Sequence, residues 1–262
     1  MANAEPPIWE RSNGSRTIQW GGSVWILDHS NGRVGLRPAD GSGHRFLELG
    51  GLAASGRREE GVFTTDALTG FELLHSRVYA TFAPKGWHGL TVRAAWGPSR
   101  ESGGLDLEIQ ATTSSVGELE KLEIIVGSTW SAGAAESPSV VVEPRDRRSA
   151  SLSYDGREKA ETLRRLTTLP VAGAELAAFA PIETNDGTSR YLEMVHPYDV
   201  SRRCVEKAGG KIIAARYALF GFDLEKGVVL RGRLRGVWLG DSDGPEEQRQ
   251  RFLSEPPPLG VV

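Results

Sequence analysis

The sequence has 262 residues, of which 39% are hydrophobic and 25% charged, and 31 basic side chains stand against 34 acidic ones for a net charge of -3. This length fits one domain, because all-β sandwiches and barrels often reach it undivided, and we expect a single domain over residues 1–262. The charge balance lacks the basic surplus of a nucleic-acid-binding protein, and the single cysteine, Cys204, excludes an internal disulfide.

The N-terminal segment MANAEPPIWERSNG has neither the basic start nor the apolar run of a signal peptide. No later window reaches the run of roughly 18 apolar residues that spans a bilayer. We therefore expect a soluble, cytoplasmic protein with no membrane partner.

The elements predicted along the chain are almost all strands. The 32 glycines separate short runs in which apolar and polar residues alternate, which is typical of turns between strands. In LDLEIQATT, for example, Leu105, Leu107 and Ile109 share one face. The predicted strands, in chain order, are 23–28, 33–38, 45–49, 71–82, 89–96, 105–113, 121–128, 139–144, 174–182, 190–196, 211–224 and 226–239. Two short helices are predicted, over 156–169 and within 244–259.

More than ten strands with so little helix indicate two packed sheets or a closed barrel, since one open sheet of that width would leave long edges exposed. The runs 71–82 and 226–239 would each extend to about 40 Å, which favours the sandwich. We predict an all-β fold, a large two-sheet antiparallel β-sandwich with one or two short peripheral helices.

An arginine row lies in VLRGRLRGVW, where Arg231, Arg233 and Arg235 are two residues apart and therefore share one face of a strand. Such a row could hold a carboxylate or phosphate through bidentate hydrogen bonds. Alternatively, it forms ion pairs with acidic residues of neighbouring strands on a solvated face.

Two further stretches carry polar and aromatic side chains. Taken as one strand, FELLHSRVYATF places His75, Arg77 and Tyr79 on one face, which could line a sugar or acid pocket or simply lie at a sheet edge. The following PKGWHGL places Trp87 and His88 at a glycine-flanked corner. An exposed tryptophan there would be a stacking platform, and a buried one a core residue.

The segment YLEMVHPYDVSRR, residues 191–203, holds more polar chemistry than any comparable window. Strand geometry puts Glu193 and His196 on opposite faces. Pro197 should end the strand near His196, because proline cannot donate to a ladder. The residues released into a loop at the sheet rim would then be Tyr198, Asp199, Arg202 and Arg203. Loops at sheet ends gather functional side chains; the alternative is an ordinary turn with ion pairs in solvent.

Several well-known functional motifs are absent: the sequence has no GxGxxG opening a helix, no Walker motif, no GxSxG and no HExxH. The five histidines are scattered. We predict no cofactor and no metal ion, with a calcium ion held by backbone and carboxylate oxygens as the alternative.

The length, the succession of long strands, the seven tryptophans, the HPYD loop and the closing FGFDLEKGVVLRGRLRGVWL resemble galactose-mutarotase-like β-supersandwich proteins, over about residues 16 to 240. The resemblance implies a supersandwich fold that binds or processes carbohydrates without a cofactor. It also implies a histidine as general acid toward the sugar ring oxygen and a glutamate as general base toward the anomeric hydroxyl.

Opening a hemiacetal needs a proton donor and an acceptor on opposite sides of the C1–O5 unit. The catalytic candidates are His196, Glu193, His75 and Asp199. Sugar faces need an aromatic platform and fixed donors. The binding candidates are Trp87, His88, Arg77, Tyr198, Arg202 and Arg233.

The leading hypothesis is an aldose 1-epimerase (mutarotase) whose partner is a small-molecule sugar. The alternatives are a non-catalytic carbohydrate-binding or accessory module, a sandwich related to polysaccharide lyases or hydrolases, and a structural sandwich. The sequence does not predict an oligomeric state.

Overall fold

The structure of the protein is a computed structural model. It describes residues 9–12, 15–20, 22–39, 41, 43–99, 103–117, 119–130, 139–143, 150–152, 178–184, 187–208, 211–240 and 244–255. Within these ranges the strands form two antiparallel sheets, one of eleven strands and one of seven. The predicted two-sheet β-sandwich is confirmed.

The strands are numbered in chain order. The large sheet has the spatial order β1 (Trp9–Ser12), β2 (Ser15–Trp20), β3 (Ser23–Asp28), β4 (Val34–Pro38), β5 (Arg45–Ala54), β11 (Leu119–Thr129), β17 (Lys211–Leu224), β16 (Val200–Ala208), β12 (Ser139–Glu143) and β13 (Ala150–Leu152), and β6 (Arg57–Glu60) pairs with β5 off this path. The small sheet has the order β14 (Ala178–Thr184), β15 (Gly187–Val195), β18 (Leu230–Leu239), β10 (Leu105–Thr113), β9 (Leu90–Pro98), β8 (Arg77–Phe82) and β7 (Leu68–Leu74). Two short 3₁₀ turns cover Ser30–Gly32 and Thr65–Ala67.

The main core lies between the two sheets, where the alternating apolar residues of each strand meet. Leu105, Leu107 and Ile109 are buried there, as their spacing predicts. One end of this core is aromatic, with ring centroids between 4.7 and 6.1 Å apart around Tyr191. Its members are Trp20, Trp25, Phe46, Trp130, Tyr191 and Trp238. Each such buried side chain stabilises the fold by roughly 1.5–3 kcal/mol relative to an exposed one.

The helix α1 (Pro245–Ser254) covers the outer face of the small sheet, and it confirms the helix predicted within 244–259. Pro245 stands in its first turn and Glu246 and Glu247 follow, which favours a helix start. Phe252 packs into a second apolar cluster with Leu192, Met194, Val237 and Leu239. The helix predicted over 156–169 lies outside the described residues. Among those residues, no helix has the length and apolar character to cross a membrane.

Several predicted boundaries are wrong, and three of them concern segments that carry candidate residues. The run 71–82 is a hairpin, β7 and β8, with His75 in the turn at φ 55°; the alternation of apolar residues continues across this turn, and the turn itself contains no glycine or proline. Arg202 and Arg203 belong to β16 rather than to a loop. The strand predicted from residue 226 begins at Leu230, after a turn at Lys226 and Gly227.

Candidate functional site

The turn after β15 connects the small sheet to the large one at one end of the sandwich. β15 ends at Val195, and a turn over residues 197–199 leads into β16. The backbone N–H of Asp199 donates to the carbonyl of His196 at 2.9 Å, and the N–H of Phe220 on β17 donates to the carbonyl of Asp199 at 2.6 Å. These bonds hold His196, Tyr198 and Asp199 together on one short turn.

The side chains of His196 and Tyr198 lie side by side on this turn. Their ring centroids are 5.3 Å apart, and the backbone N–H of Tyr198 donates to Nδ1 of His196 at 3.3 Å. Because Nδ1 accepts this bond, the proton of the neutral imidazole is assigned to Nε2. Tyr198 is 78% exposed, so its ring faces solvent.

The ionisable groups of the turn have pKa values that are shifted toward each other. Burial raises the pKa of Asp199 to about 6, against the backbone N–H and the positive charge of Arg233. Burial, and after it the charge of Arg233, lowers the pKa of His196 below its usual 6.5. A carboxyl group whose pKa is raised and an imidazole whose pKa is lowered come closer in proton affinity, and such a pair can exchange roles as acid and base. We call His196, Tyr198, Asp199 and Arg233 the rim cluster.

The guanidinium of Arg233 itself is occupied by protein carboxylates. It lies on the outer face of the small sheet with Arg235, near the ring of Phe252. Its NH1 is 2.9 Å from Oε2 of Glu255 and 3.8 Å from Oδ2 of Asp106. Arg233 therefore acts on His196 through its charge, and on Asp199 through its charge and its backbone N–H.

Glu193 lies in the core between the sheets, and 0% of it is exposed. The hydroxyl groups of Ser128 and Tyr191 both donate to its Oε1, the second at 3.2 Å. Burial raises the pKa of Glu193 to about 7, although these two bonds oppose the shift. A carboxyl group that solvent does not reach cannot contact a ligand at the rim, and Glu193 is a structural group in this conformation.

The structure does not bring the other candidates of the small sheet to His196. His75 and Arg77 lie at the turn between β7 and β8, where Arg77 NH1 is 2.7 Å from Oε2 of Glu108. Trp87 and His88 lie in the connection between β8 and β9, at the opposite end of β8.

Trp87 is a buried core residue rather than an exposed platform. Its Nε1 donates to Oε2 of Glu59 at 3.0 Å, and the guanidinium of Arg57 stacks 4.3 Å from the ring centroid. His88, next to it, is exposed, and its carbonyl accepts a hydrogen bond from Thr113 Oγ1 at 2.8 Å.

Arg202 lies on the outer face of the large sheet, the face turned away from the small sheet. It is paired with Glu123, to which Ser201 Oγ also donates at 2.7 Å. Four of the binding candidates thus already have protein partners: Arg77, Trp87, Arg202 and Arg233.

A second group of polar residues on the outer face of the large sheet was missed by the sequence reasoning. Its members come from four separate segments of the chain, and no local pattern connects them. We call it the outer-face cluster, and it consists of Arg33, Arg45, Glu48, Arg58, Glu60 and Arg216. Among the described residues, no group of three or more His, Cys, Asp or Glu side chains is placed to hold a metal ion.

Comparison with known proteins identifies neither a family nor an activity for this chain. No family model matches it, and no curated protein matches its sequence. Among solved structures it is similar to the α-N-acetylgalactosaminidase NagBb from Bifidobacterium bifidum. The Gal-NHAc-DNJ complex of that protein has a TM-score of 0.48 at 12% identity, and the GalNAc complex 0.44 at 13% identity, each over 87% of this chain and 36% of the other. The chain spans about a third of the length of these structures.

Proposed function

We propose that the protein processes carbohydrates as a cofactor-independent aldose 1-epimerase, and that the rim cluster is its active site. One observation supports this most. His196 and Asp199 are the first and last residues of one four-residue turn beside the exposed ring of Tyr198, and their pKa values are shifted toward each other. An acid, a base and an aromatic surface are the groups that hemiacetal chemistry requires.

The proposed reaction opens and closes the sugar ring. The Asp199 carboxylate takes the proton of the anomeric hydroxyl, the C1–O5 bond breaks as the C1=O1 bond forms, and the imidazolium of His196 delivers its Nε2 proton to O5. In the imidazolium Nδ1 also carries a proton, so the bond from the Tyr198 N–H is released in this form, and the neutral ring that remains keeps its proton on Nδ1. Rotation about C1–C2 and the reverse transfers give the other anomer, with both residues returned to their starting states. No electrons are exchanged with any cofactor.

Tyr198 would hold the sugar during this reaction. Its ring is exposed on one side and lies beside the imidazole on the other, so that a pyranose stacked on the tyrosine would have its ring oxygen within reach of the turn. Tyr198→Ala should therefore raise KM, since it removes binding contacts that substrate and transition state share.

The proposal is tested by measuring the exchange between α and β anomers of several aldoses by NMR, above the spontaneous rate in buffer. We expect the protein to accelerate exchange. His196→Ala should reduce the acceleration by about 10²–10⁴-fold, the usual contribution of a positioned acid or base. The matched control is His75→Asn, which alters an exposed histidine in a turn at φ 55° where asparagine is well tolerated.

The pH dependence gives a second readout. Catalysis needs Asp199 ionised, which requires a pH above about 6, and His196 protonated, which requires a pH below its lowered pKa. We therefore expect a bell-shaped pH profile of kcat/KM, with an acidic limb near pH 6 set by Asp199 and a basic limb set by the lowered pKa of His196, and we expect Asp199→Asn to remove the acidic limb from the residual activity. Sugar-dependent shifts of the Tyr198 signals without faster exchange would contradict the enzyme and support a binding module instead. If no aldose either shifts the Tyr198 signals or exchanges its anomers faster, a carbohydrate role at this site is contradicted.

A further inference from the structure

The outer-face cluster is built on a register that carries polar residues across the middle of the large sheet. Glu48, Gly127, Arg216 and Cys204 stand opposite one another on β5, β11, β17 and β16. Residues that are directly opposite in antiparallel strands point to the same face. The neighbours Val126 and Tyr217 belong to the core between the sheets, so the row of Glu48 and Arg216 points away from the core.

The floor below these side chains is made of small residues. Gly127 stands opposite Glu48 on β11, Gly51 lies three residues further along β5, and Ala214 and Ala218 flank Arg216 on β17. The glycines are required by close approach: a Cβ on Gly127 would collide with the carbonyl oxygen of Ala215, and one on Gly51 would lie 2.6 Å from that of Glu59. Long charged side chains therefore stand next to glycine and alanine on this part of the face.

The anchor of the cluster is Glu48, which is almost fully buried. Its Oε1 is 3.0 Å from NH1 of Arg33, and its Oε2 is 3.2 Å from Nε of Arg45. Arg45 also reaches Asp28, at 2.7 Å. Both arginines are thus fixed in position by carboxylates, and Arg45 also donates to the carbonyl of Arg33 and to Ser30 Oγ.

The outer layer of the cluster is arranged around Glu60. Three guanidinium groups from different elements converge on its carboxylate: Arg33, Arg58 with NH2 at 3.0 Å from Oε1, and Arg216 with NH1 at 3.6 Å from Oε2. Two of the three have a second carboxylate partner, since Arg33 also contacts Glu48 and Nε of Arg216 is 3.8 Å from Oε1 of Glu206. The side chain of Glu60 is 39% exposed, so it is the member of the cluster with the most freedom to leave.

The charges around Glu60 favour an anion at its position. Burial by itself would raise the pKa of Glu60, but Arg216, Arg58 and Arg33 outweigh it and the pKa lies below its usual range. The pKa of the more deeply buried Glu48 shifts in the other direction, because burial raises it despite the charges of Arg33 and Arg45. The balance of burial and arginine charge therefore favours the ionised carboxylate at Glu60, whereas at the more buried Glu48 burial prevails.

We propose that the outer-face cluster is a binding site for a small molecule with a carboxylate or phosphate group, whose oxygens displace the Glu60 carboxylate from Arg33, Arg58 and Arg216. Arginine recognises both groups through paired N–H donors. Glu60 competes for the same donors. The apparent affinity for the anion is therefore the intrinsic affinity multiplied by the fraction of molecules in which Glu60 has left the arginines. The proposal is independent of the chemistry assigned to the rim cluster.

The experiment is a calorimetric titration of the full chain with inorganic phosphate, glucuronate, glucose 6-phosphate and glucose, at constant ionic strength. We expect the three anions to bind and glucose not to bind at this site. Glu60→Gln should tighten anion binding by about tenfold, because the competing charge is gone, and Arg216→Gln should weaken it by at least about tenfold. Phosphate binding without glucuronate binding would assign the site to phosphoryl groups, and the reverse to carboxylates.

The matched controls are Glu59→Gln and Arg57→Gln. These residues lie on the same strand, β6, but pair with each other and with Trp87 on its other face, so both should leave anion affinity unchanged. Arg58→Gln provides a second loss variant on the exposed edge strand should Arg216→Gln unfold. The proposal is overturned if Glu60→Gln binds anions no more tightly than Glu59→Gln, or if Arg58→Gln and Arg216→Gln bind them as the wild type does.

Discussion

Arg235→Met is expected to lower the free energy of unfolding by about 3–5 kcal/mol, the cost of leaving a buried charge without its partner. Nε and NH2 of Arg235 are 2.6 and 2.9 Å from the two carboxylate oxygens of Asp106, and Glu255 also accepts from the guanidinium. Asp106 is only 1% exposed. Burial by itself would lower the pKa of Arg235, but the hydrogen bonds to Asp106 and Glu255 outweigh it and the pKa is raised. The measurement is urea unfolding followed by tryptophan fluorescence.

The chain offers a matched control for this experiment in the same arginine row. Arg231 lies on the same strand and face but is exposed, and Arg231→Met should change the free energy of unfolding by less than about 0.5 kcal/mol. The double variant Arg235→Met, Asp106→Leu removes both charges, and it should recover at least half of the loss, because apolar replacements of a buried pair are often neutral. Equal effects of Arg235→Met and Arg231→Met would contradict a buried, mutually dependent pair.

The arginine row shows what alternation along a strand can predict and what it cannot. The spacing of Arg231, Arg233 and Arg235 correctly places all three on one face, since side-chain direction follows from the period of two. Whether that face is solvated depends on α1, which follows later in the chain and covers Arg233 and Arg235 but leaves Arg231 exposed. Cover by another element is a tertiary property, and no pattern within the strand reports it.

The same limit applies to the candidate sites. The proline at 197 predicts where β15 ends, and the neighbours His196 and Asp199 come together because they are close in sequence. The histidines at 75 and 88 are on different turns, since the residues 71–82 fold back as a hairpin that their pattern does not reveal. The outer-face cluster depends on strands far apart in sequence, β5 and β17 joined through β11, and only the register places Glu48 and Arg216 in one row.

The carboxyl group of Glu193 should make the fold less stable as the pH rises. Its pKa is raised from 4.5 to about 7 by burial, so between these values the native state holds a proton that the unfolded state has released. Stability from this group is therefore fully present below pH 4.5 and is lost as the pH rises to about 7, by roughly 3 kcal/mol in total. Among the described residues no donor reaches Oε2, which leaves the ionised form poorly compensated.

Glu193→Gln isolates this effect, because an amide keeps the shape and the bonds from Ser128 and Tyr191 but does not ionise. The variant should be more stable than the wild type by roughly 3 kcal/mol at pH 8 and nearly equal to it at pH 4.5, measured by urea unfolding at each pH. Asp199, whose pKa is raised to about 6, contributes in the same direction but over a lower pH range. The stability of Asp199→Asn relative to the wild type should therefore increase between about pH 4 and pH 6. A constant difference between Glu193→Gln and the wild type from pH 4.5 to pH 8 would mean that the Glu193 carboxyl group reaches water. In that case it would return to the list of groups able to act on a ligand.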